Sequence, residues 1–146
     1  MFLGRYEHSI NGSGRTSIPA KFREELRAQG EEHLILTNLE DCLVAYPAGE
    51  WNKFIERLGQ VPQTSKEYSE FLRFFVSGAQ ECPIDKQGRI LIPPSLRDHA
   101  GLTKDIVLVG MIAKIEIWAK DKWNAEFTRS KGNFAGNSER LAQWGI

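Results

Sequence analysis

The chain has 146 residues, of which 41% are hydrophobic and 26% charged, and its formal net charge is zero. This composition predicts a folded protein of one ordinary domain or two very small ones and excludes wholesale disorder. No apolar run approaches the roughly 20 residues that a membrane helix needs, and the first residues lack the pattern of a signal peptide. We therefore expect a soluble cytoplasmic protein.

The first part of the chain has the pattern of a short β-rich unit. Residues 6–10 and 15–18 flank the turn-forming segment 11–14 and predict a strand, a turn and a strand. Pro19 predicts the start of a short helix, which Gly30 ends. Two apolar runs, in residues 34–46, then predict a second hairpin.

A helical connector follows. Residues 51–58 and 68–76 have amphipathic periodicity, and a break at Val61 and Pro62 separates them. The segment 64–67 has the pattern of a capping box, with Thr64 as the capping residue. The aromatic stripe of the second helix is typical of a core face, and it also suits contact with another subunit.

The rest of the chain predicts a second β-rich unit and a tail. Residues 81–92 predict two strands around a turn at 85–88, and Pro93 and Gly101 bound a predicted helix. Residues 106–118 then predict another hairpin. After Phe127 the small and polar residues 130–138 resemble a flexible extension.

The two units repeat the same motif. Residues 11–23 (NGSGRTSIPAKFR) align without a gap to residues 85–97 (DKQGRILIPPSLR) at an offset of 74, and both copies contain Gly-Arg, Ile-Pro and a final Arg. The similarity continues to Trp51 and Trp123, at an offset of 72. Core packing alone does not require a repeated exposed turn and arginine, so the repeat predicts two equivalent surfaces.

Positive charge is concentrated on this motif. Residues 5–23 contain four basic side chains and one acid, and residues 86–97 contain three basic side chains and no acid. Residues 24–81, in contrast, contain eleven acids and five bases. The zero net charge therefore does not exclude a local basic surface for an anionic partner.

No pattern for catalysis, a cofactor or a metal is present. Cys42 and Cys82 are distant in sequence and lack a CxxC or Cys/His cluster, so we expect two buried thiols, neither a disulfide nor a zinc site. The three histidines are scattered, and the Gly12-Ser-Gly14 segment lacks the lysine of a P-loop. The sequence predicts a protein that is not an enzyme and holds no cofactor.

The repeated arginines leave two interpretations open. An arginine on a rigid turn, here Arg15 or Arg89, can bind phosphates or donate to guanine in the major groove, which a two-stranded ribbon can enter. The same side chain can instead form an internal ion pair that stabilises the turn. Asn11 and Asp85 precede these arginines by four positions and are expected to orient the turns, with Gly14 and Gly88.

These residues resemble a known family. The two turns, Asn11-x-x-x-Arg15 and Asp85-x-x-x-Arg89, each followed by an apolar segment with Ile-Pro, are similar to the double SpoVT/AbrB-type domain of the MraZ family. Residues 1–4 (MFLG), 19–23 (PAKFR) and 74–85 (FFVSGAQECPID) extend the resemblance, which covers about residues 1–127. It implies a mainly β fold with helices (α+β), in which two tandem repeats form a swapped-hairpin β-barrel with amphipathic helices after each.

The resemblance also implies a function and a site. It implies a transcriptional regulator that binds double-stranded DNA at promoter repeats upstream of the division and cell-wall gene cluster, as a ring-like homo-oligomer associated with the nucleoid. The expected DNA-binding residues are Arg15, Arg89, Lys86, Lys21, Arg23 and Arg97. The first turn has Asn11 and Ser13 where the family usually has Asp and Lys, so we expect the second turn to contribute more.

We divide the chain accordingly. Repeat 1 covers residues 5–51, the helical connector 52–80, repeat 2 81–124, and the end of the last helix with the tail 125–146. The alternative function is an oligomeric assembly or protein-interaction module in which the arginine turns are structural.

Overall fold

A computed structural model of the chain describes residues 1–146 and contains two similar series of strands and helices. The first series consists of β1 (Arg5–Ser9), β2 (Arg15–Ser17), α1 (Ala20–Ala28), β3 (His33–Asn38), β4 (Leu43–Pro47) and α2 (Ala48–Leu58). The connection consists of α3 (Lys66–Phe71) and a π-helical turn (Leu72–Val76). The second series consists of β5 (Gln80–Pro83), β6 (Arg89–Leu91), α4 (Pro94–Ala100), β7 (Asp105–Met111), β8 (Lys114–Ala119) and α5 (Lys120–Gly132). The chain ends with α6 (Phe134–Leu141) and a 3₁₀ turn (Ala142–Trp144).

The local signals of the sequence explain the equivalent helices α1 and α4. Each begins directly after the proline of an Ile-Pro pair. The proline has an extended backbone, so it can precede a helix, but the helix does not include the residues before it. Phe22 and Leu26 lie one turn apart on α1 and are both buried. The left-handed Gly101, with φ of 68°, ends α4. The predicted helices after Pro19 and Pro93 are confirmed.

The strands pair mainly between the two copies. Six strands form one antiparallel sheet in the order β1-β7-β8-β4-β3-β5, and β2 pairs with β6 in a separate two-stranded ribbon. If each strand is replaced by the equivalent strand of the other copy, the six-stranded order is the same read in reverse. Equivalent positions therefore meet at the centre of each sheet, where Val44 pairs with Glu116 and Thr16 pairs with Ile90. The two copies are thus related by a pseudo-twofold axis.

The first turn joins two strands that pair with the other copy. The predicted strand, turn and strand form, and the ladders of β1 and β2 are with β7 and β6. Hydrogen bonds across the first turn include those from Asn11 N–H to the Arg15 carbonyl, at 2.9 Å, from Thr16 Oγ1 to the Ser9 carbonyl, and from His8 Nδ1 to the Ser17 carbonyl, at 2.7 Å. Ile10 and Ile18, next to the turn, are buried in the shared core. The hairpins β3–β4 and β7–β8 form as predicted.

Both copies contribute to one core. A cluster of 20 buried residues includes Leu34, Leu36 and Leu43 from the first copy and Ile106 and Leu108 from the second. Full burial of such a side chain contributes about 1.5–3 kcal/mol, so the shared core is the main stabilising element. The mixed α+β fold built from two copies is confirmed. The closed barrel and the segment boundaries stay predictions.

The connector is attached to the end of β3. The Thr37 hydroxyl donates to the Phe75 carbonyl, and the Asn38 amide donates to the Phe74 carbonyl at 2.9 Å. These carbonyls belong to the π-helical turn, whose irregular backbone leaves acceptors for β3. The capping residue of α3 is Ser65, which accepts from the Tyr68 N–H at 3.1 Å. The expected capping box at Thr64 is therefore one residue too early.

The end of the chain is helical. The sequence predicted a flexible extension after Phe127, but α5 continues to Gly132 and α6 begins two residues later. Glu126 and Arg129 form an ion pair one turn apart on α5, at 3.0 Å, which favours the helix. Leu141 and Trp144 are exposed, and Trp144 retains 80% of its accessible surface.

The bond from Thr37 to the connector gives a test of the fold. We expect Thr37→Val to lower the free energy of unfolding by about 1–3 kcal/mol, because valine keeps the shape but leaves the buried Phe75 carbonyl without its donor. Equilibrium urea denaturation measures this change. Thr103→Val is the matched control, since Thr103 is exposed and the expected change is within about 0.5 kcal/mol. Equal losses in the two variants would contradict the assignment.

Candidate nucleic-acid interface

The ribbon of β2 and β6 brings the two repeated arginines to one face. Arg15 pairs with Leu91, and Arg89 pairs with Ser17. Directly paired residues of an antiparallel ladder point to the same side, and alternate residues point to opposite sides. The central pair, Thr16 and Ile90, is buried. All four flanking side chains therefore lie on the outward face, with the arginines at diagonal corners.

The first turn is organised by the Asn11 side chain. Its Oδ1 accepts from the backbone N–H groups of Ser13, at 3.1 Å, and Arg15, at 2.8 Å, and from the Ser13 hydroxyl at 2.7 Å. Gly14 has a φ of +91°, a conformation that a residue with a Cβ rarely adopts. The predicted orienting role of Asn11 agrees with these contacts. The Arg15 guanidinium then donates to the Ser13 hydroxyl at 3.2 Å.

The second turn has the same backbone with a charged side chain in the centre. Asp85 Oδ1 accepts from the N–H groups of Gln87 and Arg89, both at 2.9 Å, and Gly88 has a φ of +76°. Asp85 Oδ2 accepts from Arg89 Nε at 3.3 Å. The pKa of the Asp85 carboxyl is lowered, chiefly because the Arg89 N–H stabilises the carboxylate. The aspartate thus fixes both the turn and the direction of its arginine.

The turns differ in how they hold charge, while their net charge is the same. Residues 11–15 carry one positive charge, and residues 85–89 carry Lys86 and Arg89 against Asp85. The Arg89 guanidinium is paired with a carboxylate, whereas the Arg15 guanidinium contacts a neutral hydroxyl. That the second turn contributes more stays a prediction.

The other predicted cations lie in three different environments. Lys86 is exposed in the second turn. Lys21 is exposed on α1 and lines a groove of about 500 Å³ with Met1 and Leu3, outside the ribbon. Arg23 and Arg97 are half-buried against the turns, and the Nε of each donates to a carbonyl of its own copy. The structure thus brings Arg15, Arg89 and Lys86 to the ribbon and its turns, and gives the other three different contacts.

A polar groove beside the second turn was not predicted. It has a volume of about 630 Å³ and lies between α1 and the turn, where Arg23, Arg27 and Lys86 line it. Arg27 follows Arg23 by four positions and so lies on the same face of α1. That spacing is the sequence signal that could have identified it.

The structure contains no group of three or more His, Cys, Asp or Glu residues arranged to hold a metal ion. Cys42 and Cys82 are free and buried, as expected. Burial raises the pKa of the Cys82 thiol to about 11 and raises the pKa of Cys42 further. No helix has both the length and the apolar character to cross a membrane.

The fold is that of a two-copy α+β protein in which each copy contributes one arginine to the outward face of the β2–β6 ribbon. The family model described as "MraZ protein, putative antitoxin-like" matches residues 1–74 and again residues 75–144. The chain belongs to the MraZ family.

Similar proteins match the whole chain. The transcriptional regulator MraZ of Lachnoclostridium phytofermentans is 44% identical over 146 residues, which cover 100% of this chain and 99% of that protein. The protein of the same name from Caldanaerobacter subterraneus subsp. tengcongensis is 43% identical and fully covered. The solution structure of PHS018 from Pyrococcus horikoshii, 17% identical, covers 80% of this chain and 88% of its own with a TM-score of 0.33.

The two turns should respond differently to acid. The pKa of Asp85 is below its ordinary value of 3.8 in the folded chain, so its contribution to stability is complete above that value and decreases as the pH falls through the folded pKa. Asn11 does not titrate. In an acid titration followed by amide NMR, we expect the Gly88 and Arg89 signals to move with an inflection below 3.8, while Gly14 and Arg15 do not.

The matched control for this titration is Asp85→Asn, which gives the second turn the side chain of the first. The inflection should disappear from Gly88 and Arg89 in that variant. An inflection of equal size at Gly14 in the wild type would show that the titrating group is not Asp85.

Proposed function

We propose that the chain is a DNA-binding transcriptional regulator that contacts DNA through the outward face of the β2–β6 ribbon. The observation that carries the proposal is that Arg15 and Arg89, far apart in sequence, lie on one outward face of two paired strands. The naming of the relatives as transcriptional regulators supports it. That naming also agrees with the prediction that the chain is not an enzyme.

The chemistry of the face suits a DNA groove. A two-stranded ribbon fits the major groove, and a guanidinium there can donate to both O6 and N7 of guanine. The turns fix the backbone at each arginine, so little conformational freedom is lost when it binds. Lys86 lies next to the Asp85–Arg89 pair and is suited to a phosphate. Arg15, Arg89 and Lys86 thus supply both base and backbone contacts.

The distribution of charge along the chain also favours contact at the turns. Residues 24–81 carry eleven acids and five bases, whereas each turn is net positive. A polyanion attracts the basic turns and repels excess negative charge.

We propose further that several subunits act together as a ring on promoter repeats, upstream of the division and cell-wall gene cluster, in the nucleoid. Apolar side chains that this chain leaves exposed support self-association, among them Phe71 at 41% and Phe74 at 46%. When weakly binding subunits are joined, the binding of one subunit raises the effective concentration of the next subunit at the adjacent DNA repeat. A ring would therefore favour tandem repeats over single sites.

One observation favours the alternative of an assembly module. Arg89 is engaged within its own turn by Asp85, which is the contact expected of a structural arginine. In that case DNA affinity would be negligible from the start, and arginine substitution would change stability or subunit number instead. DNA binding and native mass, measured on one sample, separate the two functions.

The salt dependence of binding tests the proposal directly. We expect the double variant Arg15→Ala/Arg89→Ala to bind promoter DNA more weakly and with a shallower slope of log affinity against log salt. The slope should fall by about one for each phosphate that the variant no longer neutralises. Fluorescence anisotropy over a range of salt concentrations gives both values.

Arg57→Ala is the matched control for this measurement. It removes the same charged side chain from an exposed position in the last turn of α2, away from the ribbon. Its affinity and slope should equal those of the wild type. An unchanged affinity together with an unchanged slope in the double variant would refute DNA binding by these arginines.

The number of repeats in the DNA tests the multivalent part of the proposal. We expect DNA with four repeats to bind about 10²–10⁴-fold more tightly than DNA with one, because the later contacts are intramolecular. Scrambled repeats of equal length serve as the control for non-specific binding. A gain of about fourfold or less, the statistical factor, would show that the subunits bind independently.

A further inference from the structure

The glycine of each turn lies against an arginine from the other copy. A Cβ placed on Gly14 would lie 2.6 Å from Cζ of Arg97, and one on Gly88 would lie 2.5 Å from Nη1 of Arg23. Carbon atoms in van der Waals contact are about 3.5–4.0 Å apart. A side chain at either glycine would therefore displace the arginine that lies against it. The first turn thus rests on the second copy, and the second turn rests on the first.

Each of these arginines is fixed to its own copy by a hydrogen bond. Arg23 Nε donates to the Ile18 carbonyl at 3.1 Å, and Arg97 Nε donates to the Ile92 carbonyl at 2.9 Å. The arginine lies five residues after its acceptor, on the first helix after the Ile-Pro pair. The two contacts are therefore the same feature, formed twice.

The backbone completes the link between the copies. Ile18 N–H donates to the Gly88 carbonyl at 2.8 Å, and Ile92 N–H donates to the Gly14 carbonyl at 2.9 Å. The carbonyl of each of these isoleucines accepts from the arginine that packs on the same glycine. The backbone of one isoleucine thus binds the opposite turn through its N–H and the supporting guanidinium through its carbonyl.

We propose that Arg23 and Arg97 are positioning residues, each of which sets the place of the DNA-contacting arginine of the opposite copy. Arg97 supports the turn that carries Arg15, and Arg23 supports the turn that carries Arg89. This inference rests on the proposed function in its DNA-binding part, and its structural part stands on the contacts alone. It assigns both side chains a role other than that of supporting cations for DNA.

The chemistry of the side chain explains why arginine is required. The guanidinium is planar and can lie flat against the face that a glycine leaves open, while its Nε donates in the same plane. A lysine has the charge and a flexible stem but no donor at the Nε position and no flat surface. A phosphate contact, in contrast, accepts either side chain, because Lys also binds phosphate.

Crossed double-variant cycles test the pairing. We expect Arg97→Gln to weaken DNA binding on the order of tenfold, about the effect of losing the base contact of Arg15. In an Arg15→Ala background the effect of Arg97→Gln should disappear, and in an Arg89→Ala background it should persist. Arg23→Gln should show the reverse dependence. Arg57→Gln, which changes an exposed arginine of α2, should leave the affinity unchanged in every background.

Arg97→Lys and Arg23→Lys keep the positive charge of the side chain. They replace the glutamine variants in the test if the glutamine variants do not fold. We expect each lysine variant to bind DNA as weakly as the corresponding glutamine variant. Rescue by lysine would assign these residues to phosphate contact and overturn the proposal. Additive effects in all backgrounds, or dependence on the arginine of the same copy, would overturn it as well.

A readout without DNA separates this inference from the proposed function. In amide NMR spectra, Arg97→Lys should shift Gly14 and Arg15 more than Gly88, and Arg23→Lys should shift Gly88 and Arg89 more than Gly14. Unmoved turn signals would refute the support. If the signals move as expected while Arg15→Ala/Arg89→Ala leaves DNA binding unchanged, the positioning contact stands and the proposed function fails.

Discussion

The whole structure depends on pairing between the two copies of the repeat. β1 of the first copy pairs only with β7 of the second, and β5 of the second pairs only with β3 of the first. The ribbon strands β2 and β6, of three residues each, have no other partner. Neither copy can therefore bury its apolar strand faces alone, because a lone hairpin is marginal in water. The pairing creates the common core and the candidate site together. Loss of either copy would therefore remove both.

The same pairing turns a local motif into a surface. A single Gly-Arg turn presents one guanidinium at a flexible end, which any solvent anion could bind weakly. Register in the ribbon fixes the second turn beside the first, with Thr16 and Ile90 buried beneath and the arginines above. A shift of one residue in the pairing would turn one strand over relative to the other, which would bury its arginine and expose its core residue. The burial of Thr16 and Ile90 therefore specifies the direction of Arg15 and Arg89, although neither buried residue lies on the outward face.

The features that are visible in the sequence are those set by nearby residues. Gly101 ends the helix it follows, and Asn11 and Asp85 accept hydrogen bonds from N–H groups within four positions. Strand pairing depends on distant partners, so the ladders of β1 with β7 and of β2 with β6 are not visible in the local pattern. The support of Gly14 by Arg97 spans 83 positions and leaves no periodic signal. In the tail, small polar residues suggested flexibility, but helix contacts one turn apart, such as Glu126 with Arg129, decide the local structure.

The two turns then differ in one respect that bears on recognition. Asp85 holds the Arg89 guanidinium at 3.3 Å and neutralises part of its charge, with the arginine side chain 36% exposed. A tethered guanidinium loses little entropy on binding a base edge, which favours geometric selectivity. Arg15 contacts only the neutral Ser13 hydroxyl and keeps its full charge for a polyanion. With Asn11 where the second copy has Asp85, the two turns have equal net charge and hold their arginines by different contacts.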